Sequence, residues 1–227
     1  MSYLLRVLVP DRPGMLGAVA SALGAVGADI VSVDVVERSA GVAVDDLIVE
    51  LPPGRLADTL VSAAVSVQGV SVESIQRYYS GATDAHRELE LLESLAASPD
   101  RAGELLAMAV PRIFRAGWAV VVRYDDRGPL VESASSAAPE LADVDLPWLP
   151  LSRAQVLDPT GRWVPADWGA LGTELAAAPL GDPDRAILVG RPGGPAWRPS
   201  ELLRLAHLAG IAVTVAHQGV PTKLVAD

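Results

Sequence analysis

The residues whose types and spacing first suggest chemistry are Pro10-Asp11-Arg12-Pro13-Gly14-Met15-Leu16. Two prolines and a glycine end the apolar run Tyr3–Val9, and from Met15 the apolar period becomes helical. The segment is therefore a strand-to-helix turn. A helix N-terminus offers free N–H groups and partial positive charge, which suits a carboxylate. Gly14 lets a ligand approach the backbone closely, and Asp11 can accept from an ammonium group. A carboxylate and an ammonium on one small molecule describe an amino acid. The same residues also meet the plain requirements of a tight βα turn, which needs no ligand.

Elsewhere the composition excludes more chemistry than it offers. Of the 227 residues 28 are acidic and 18 basic, for a net charge of −10. Neutralising phosphates needs a basic surface, so direct nucleic-acid binding is not expected, nor is attraction to an anionic membrane. There is no cysteine, which removes disulfides, thiolate nucleophiles and Cys-ligated metal. Three histidines, His86, His207 and His217, are too few and too scattered for a multi-His metal site or a Ser–His–Asp triad. Asp45-Asp46, Asp125-Asp126, and Asp182 with Asp184 lack a third partner at metal-ligand spacing, so each is read as solvated charge. Gly190-Arg191-Pro192-Gly193-Gly194-Pro195 is glycine-rich but lacks the Lys-Ser/Thr of a phosphate loop. No catalytic set, metal site or cofactor motif is expected. The start of the chain lacks a signal-like pattern and no run of ~20 apolar residues occurs, so a cytoplasmic location without a membrane span is expected.

The elements that must position the turn are punctuated by glycine and proline. Tyr3–Val9 reads as a strand, and Leu16, Val19, Leu23 and Val26 as a helical stripe closed by Gly27. Residues 28–38 alternate, with Val31, Val33 and Val35 opposed to Ser32 and Asp34. Ser39-Ala40-Gly41 makes a hairpin turn into a strand over 42–51. After Pro52-Pro53-Gly54, a helix over 55–67 carries Leu56, Leu60, Ala63 and Val67, and 70–78 is a last strand. The order βαββαβ is that of a ferredoxin-like split βαβ, with two helices on one face of a four-stranded antiparallel sheet.

Inside that pattern, Asp11-Arg12-Pro13-Gly14-Met15-Leu16 resembles the signature turn of ACT domains: aspartate or asparagine, any residue, proline, glycine, any residue, leucine. All six positions match. ACT domains are small regulatory modules that bind amino acids and pair side by side into an eight-stranded sheet. The resemblance implies an amino-acid site at Asp11, Arg12, Pro13, Gly14, Met15 and Leu16, faced by Ile30, Val31 and Ser32 of the second strand, at a homodimer interface.

Beyond a joint at 80–83 the spacing predicts a linking helix (81–98 with its approach), a helix over 99–116 and a strand at 118–124 turned into one near 130–133. A loop follows over 134–150. Strands are predicted near 151–156, 173–180 and 185–190, a helix over 200–217, and a tail at 218–227. Thr173 to Leu180, Ala186 to Pro192, and Trp197-Arg198-Pro199-Ser200-Glu201 before an apolar helix resemble the closing third of a GAF domain. That implies a GAF-like α/β domain with a central antiparallel sheet over 99–217. The cyclic-nucleotide motif and the chromophore cysteine of some GAF domains have no counterpart here, so no ligand is carried over. Trp118, Trp148, Trp163, Trp168 and Trp197 all fall in this half, where they either fill a core or stack on a flat ligand.

The expected architecture is α+β: an ACT domain at 1–80, a linker at 81–98 and a GAF-like domain at 99–217. The expected function is a non-catalytic regulator that binds a small amino acid, with a separate protein as a further partner. The competing readings are a small enzyme with its pocket in 99–217 and the ACT domain as allosteric site, and a pure dimerisation scaffold.

Overall fold

A computed structural model describes residues 1–78, 84–126, 128–141 and 144–218. The joint at 80–83 and all but Gln218 of the 218–227 tail lie outside these. The chain divides into two compact units, Met1–Gly81 and Ala82–Asp227.

In the first unit the order is β1 (Ser2–Pro10), α1 (Met15–Ala25), β2 (Asp29–Ser39), β3 (Val42–Glu50), α2 (Asp58–Val65) and β4 (Ser71–Tyr78). The sheet is antiparallel with strand order β2-β3-β1-β4. Alternation aims Leu5, Val7 and Val9 of β1 and Leu47 and Val49 of β3 at one face. There they pack with Val19 and Leu23 of α1 and Leu60 and Ala64 of α2. The glycine breakers predicted from the sequence in this unit, Gly14, Gly27, Gly41 and Gly54, all have positive φ, and so does Gly69 before β4.

Three local readings need correction. The buried stripe of α1 is Met15, Val19 and Leu23, while Leu16 is 37% exposed. Met15, Val19 and Leu23 form an i, i+4, i+8 row, so Met15 rather than Leu16 takes the first inward position. Helix α2 is shorter than 55–67, and Leu56 lies before it, largely exposed. Asp45 and Asp46 are not solvated but 3% and 1% exposed. Asp45 shares the helix-covered face of β3 with Ala43 and Leu47, and Asp46 lies on the other face directly across from Arg6. Asp46 is paired: Arg6 donates from Nε and Nη2 to its two carboxylate oxygens at 2.8 and 2.9 Å. Arg6 is thereby neutralised and, like its partner, buried. Such charge-assisted bidentate pairs compensate the loss of water that burial imposes.

The second unit contains α3 (Asp84–Ala97), a 3-10 turn (Pro99–Arg101), α4 (Ala102–Ile113), β5 (Trp118–Asp125), β6 (Gly128–Ala134), β7 (Gln155–Leu157), α5 (Ala166–Ala170), β8 (Glu174–Leu180), β9 (Asp182–Arg191) and α6 (Pro199–Gln218). Its five-stranded antiparallel sheet has the order β6-β5-β9-β8-β7. One face holds Ala119, Val121, Ala178, Ile187 and Val189 against α4 and α6, and α3 adds Leu91 and Leu95 to the same core. The opposite face, with Trp118, Val120, Leu157, Leu175 and Leu188, is covered by Leu141, Leu146, Leu151 and Trp168 from the irregular connection. Four of the tryptophans form a continuous row on this side. Trp118 and Trp168 centroids are 4.7 Å apart, Trp168 meets Trp163 edge-on at 6.3 Å, and Trp163 lies 6.1 Å from Trp148. The glycine-rich stretch also serves this packing: a Cβ on Gly190 would fall 2.1 Å from the Trp118 ring.

The start of α6 shows why Trp197-Arg198-Pro199-Ser200-Glu201 works as a helix entry. Pro199 takes the first helical position, and Glu201 accepts from the Arg198 backbone N–H at 2.9 Å, the return half of a capping box. Glu201 also receives the buried Arg191 at 3.0 Å, and Arg191 donates to the Phe114 and Pro195 carbonyls at 2.8 and 3.0 Å. Its guanidinium lies 3.8 Å over the Trp197 ring. One side chain thus ties β9, the end of α4 and the entry of α6 together. Arg191→Ala leaves Glu201 buried without this partner, and chemical denaturation should show a loss of about 3–5 kcal/mol. Arg191→Lys should recover little, since an ammonium cannot match the fork.

Among the described residues, no helix is long and apolar enough to cross a membrane.

Candidate functional site

The turn between β1 and α1 is held by its own backbone. The Asp11 N–H donates to the Gly41 carbonyl of the neighbouring hairpin at 2.8 Å, and the Arg12 N–H reaches back to the Pro10 carbonyl at 2.8 Å. Gly14 then takes φ +90, a left-handed conformation that a β-carbon disfavours, and becomes the N-cap of α1. Its carbonyl accepts from Ala18 at 2.9 Å and starts the helical ladder. No side chain caps this helix and no acidic residue stands in its first turn, so its N-terminal dipole is uncompensated from within α1. Space around Gly14 is open: a β-carbon there would meet nothing within 4 Å. Asp11, Arg12, Pro13, Gly14 and Leu16 are exposed, whereas Met15 is buried and anchors the helix.

The other expected segment lies elsewhere in the sheet. Ile30 pairs with Val49 and Ser32 with Ile48, while Pro10, just before the turn, pairs with Val42. Along β3 the stretch from Val42 to Val49 is about 23 Å at roughly 3.3 Å per residue. Within one chain, therefore, residues 11–16 and 30–32 stand at opposite ends of the sheet. Strand β2 is one of its two edge strands, and Val31, Val33 and Val35 are 58%, 41% and 44% exposed. The simple alternation expected of β2 is broken by register irregularities at Ile30/Ser32 and Val35/Glu37.

Two charged residues near the turn were not foreseen as part of the site. Arg38, two-thirds exposed, lies 3.8 Å from Asp11. Asp45 is buried on the helix-covered face of β3, opposite Val7 and Val35. Its Oδ1 is buried with no hydrogen-bond partner. Burial pushes this carboxyl above the usual aspartate range, Arg38 pulls it down, and Asp46, Asp11 and Asp34 add to the rise. The available signal was parity: Asp45 shares its face with Ala43 and Leu47, both core residues.

In the second unit, Glu132 of β6 binds Arg123 of β5 and Arg185 of β9 at 2.6 Å each. Burial raises its carboxyl, but the hydrogen bonds from both guanidinium groups outweigh this and hold it below the usual range. The cluster clamps three adjacent strands at their edge. His86 pairs with Glu90 at 3.1 Å and His217 Nδ1 lies 2.7 Å from the Val213 carbonyl oxygen. Among the described residues, no group of three His, Asp or Glu side chains is arranged to hold a metal ion.

With this geometry in place, comparison with known proteins finds that residues 3–63 match the family model of the ACT domain. Among solved structures, the GAF domain of an Acinetobacter phosphoenolpyruvate-protein phosphotransferase is similar at 9% identity, covering 61% of this chain and 95% of that one, with a TM-score of 0.47. A GAF domain/HD domain protein from Geobacter sulfurreducens is similar at 16% identity, covering 56% and 96%, with a TM-score of 0.43. Free methionine-R-sulfoxide reductase from Neisseria meningitidis, solved with its substrate, is similar at 18% identity, covering 63% and 98%, with a TM-score of 0.45. No curated protein matches the chain.

The conformational demand at Gly14 is directly testable. Gly14→Ala should cost about 1–2 kcal/mol through backbone strain alone, since its Cβ meets open space. Gly17→Ala, inside α1 with equally open surroundings, should stabilise by about 0.5–1 kcal/mol. Thermal unfolding followed by circular dichroism separates the two; equal shifts would contradict the left-handed turn.

Proposed function

We propose that this chain is a non-catalytic regulatory protein whose ACT domain binds a small amino acid at a homodimer interface. In this reading the ligand carboxylate takes the free N–H groups at the start of α1, beside Gly14, and the ammonium takes Asp11. Ile30, Val31 and Ser32 of the partner copy close the site. The GAF-like second domain senses a further signal or docks another protein, and no chemistry is assigned to it.

The observation that carries the reading is the separation of the two half-sites together with the bare edge between them. Residues 11–16 and 30–32 lie at opposite ends of one sheet. An antiparallel partner on β2 reverses the second strand, which brings its 30–32 segment toward the first copy's 39–41 hairpin. The Asp11 turn is bonded to that hairpin through Gly41. A long edge strand with exposed valines is otherwise an aggregation hazard, and self-pairing across a two-fold axis removes it.

A thermal-shift screen of the full chain against the twenty amino acids tests the ligand. A binder present at about 100 times its Kd should add about 2.7 kcal/mol. Gly14→Asp, which puts bulk and negative charge where the carboxylate sits, should abolish that shift. A flat response to all twenty, at concentrations far above plausible affinity, sinks the ligand claim. A monomer by analytical ultracentrifugation sinks the interface.

A further inference from the structure

The charged groups around the βα turn are unequally satisfied. Arg38 and Asp11 make an exposed ion pair at the long distance of 3.8 Å, the kind that contributes little to stability. Asp45, 3% exposed, keeps Oδ1 buried without a hydrogen bond. Arg38 is within reach of both. It pairs with Ala43 across β2 and β3, and Asp45 stands two residues further along the same face of β3. Diagonal neighbours of this kind have β-carbons about 7 Å apart, which an arginine spans easily.

We propose that Arg38 is a two-position latch: it rests on Asp11 while Asp45 is protonated, and turns to Asp45 when that proton leaves for solvent. The second position frees Asp11. Given the amino-acid site proposed above, on which this role depends, the latch decides when Asp11 can accept the ligand's ammonium group, so that site opens as pH rises.

The charges facing Asp45 all favour such a two-state arrangement. Arg38 shares its face from β2 and Asp11 acts from the turn, while Asp34 and Asp46, opposite one another on β2 and β3, act on it from the other face of the sheet. β1 places Val7 opposite it, α1 has no ionisable residue, and α2 carries only Asp58, at its first position. Among the described residues, Arg38 is thus the single cation acting on Asp45 from its own face, Arg6 being bound to Asp46 on the other. A buried carboxyl with no hydrogen bond, and with Asp46, Asp11 and Asp34 adding repulsion to the cost of burial, keeps its proton more readily than a solvated one. Once ionised, it is a buried charge that needs a partner far more than the exposed Asp11 does.

The test uses the ligand-free full chain with carboxyl-labelled aspartate and guanidinium-labelled arginine, titrated by NMR. One aspartate should titrate above the others and vanish from the spectrum of Asp45→Asn. In the wild type the Arg38 Nε resonance should move with the same midpoint, and in Asp45→Asn it should not. Arg38→Gln should shift the Asp45 midpoint further upward, because the only attraction is removed. Stability gives an independent readout with a defined sign. A carboxyl whose folded pKa is raised supports the fold below its unfolded pKa, and that support is lost as pH rises through the folded value. The wild-type Tm should therefore fall across this window relative to Asp45→Asn. Asp45 titrating in the ordinary aspartate range, an Arg38 signal that ignores it, or parallel Tm curves would each overturn the latch. These signals need no ligand, so a failed amino-acid screen removes the site reading while leaving the latch measurable.

Discussion

A sheet that ends in an open strand must leave a row of backbone N–H and C=O groups facing outward, and in this protein that constraint falls on β2. Everything proposed for the first unit follows from it. The opposite edge, β4, is shorter and carries Ser71, Glu73, Ser74, Gln76 and Arg77, a polar sequence of the sort that discourages pairing. The β2 edge is longer and presents valines. The two edges of one sheet are therefore built differently, and the apolar one lies beside the ion pair and turn that make up the candidate site.

The turn itself couples three links of the physical chain. Its proline and glycine content stops a strand and forces a left-handed residue. That residue leaves α1 without a side-chain cap, and the uncapped N-terminus faces open space at Gly14. A helix end in this state is a standing attraction for an anion, whereas a capped one is not. Nearby, the buried pair Arg6–Asp46 shows the opposite solution, in which a charge meets its counter-charge through two hydrogen bonds within the sheet.

The second unit spends its aromatic residues on packing. Three tryptophans are almost fully buried, and four stack in a row beneath the irregular connection. Arg191, placed in a glycine-rich stretch, holds a helix entry through Glu201 and lies over Trp197. Gly190 and Gly194 are small because Trp118 and the Arg191 side chain lie against them. The same composition read as a loop motif would suggest phosphate binding; read as packing, it needs no ligand.

What the sequence determined by itself was the order of elements in the first unit, the hairpin at 39–41 and the turn at 11–16. These depend on local rules: alternation, helical period, and the backbone limits of glycine and proline. The strands of the second unit were legible for the same reason, the short one near 155 only roughly in its bounds, whereas the brief helix at 166–170 is too short to show a period. Only the tertiary structure decided that Arg6 meets Asp46 forty positions away, that Asp45 is enclosed, and that residues 11–16 and 30–32 sit at opposite ends of one sheet. Each depends on strand order and register, and register joins residues whose separation along the chain carries no mark in either local sequence. The Asp45-Asp46 dipeptide looks identical in a solvated strand and in the centre of a sheet; the neighbours that cover it make the difference.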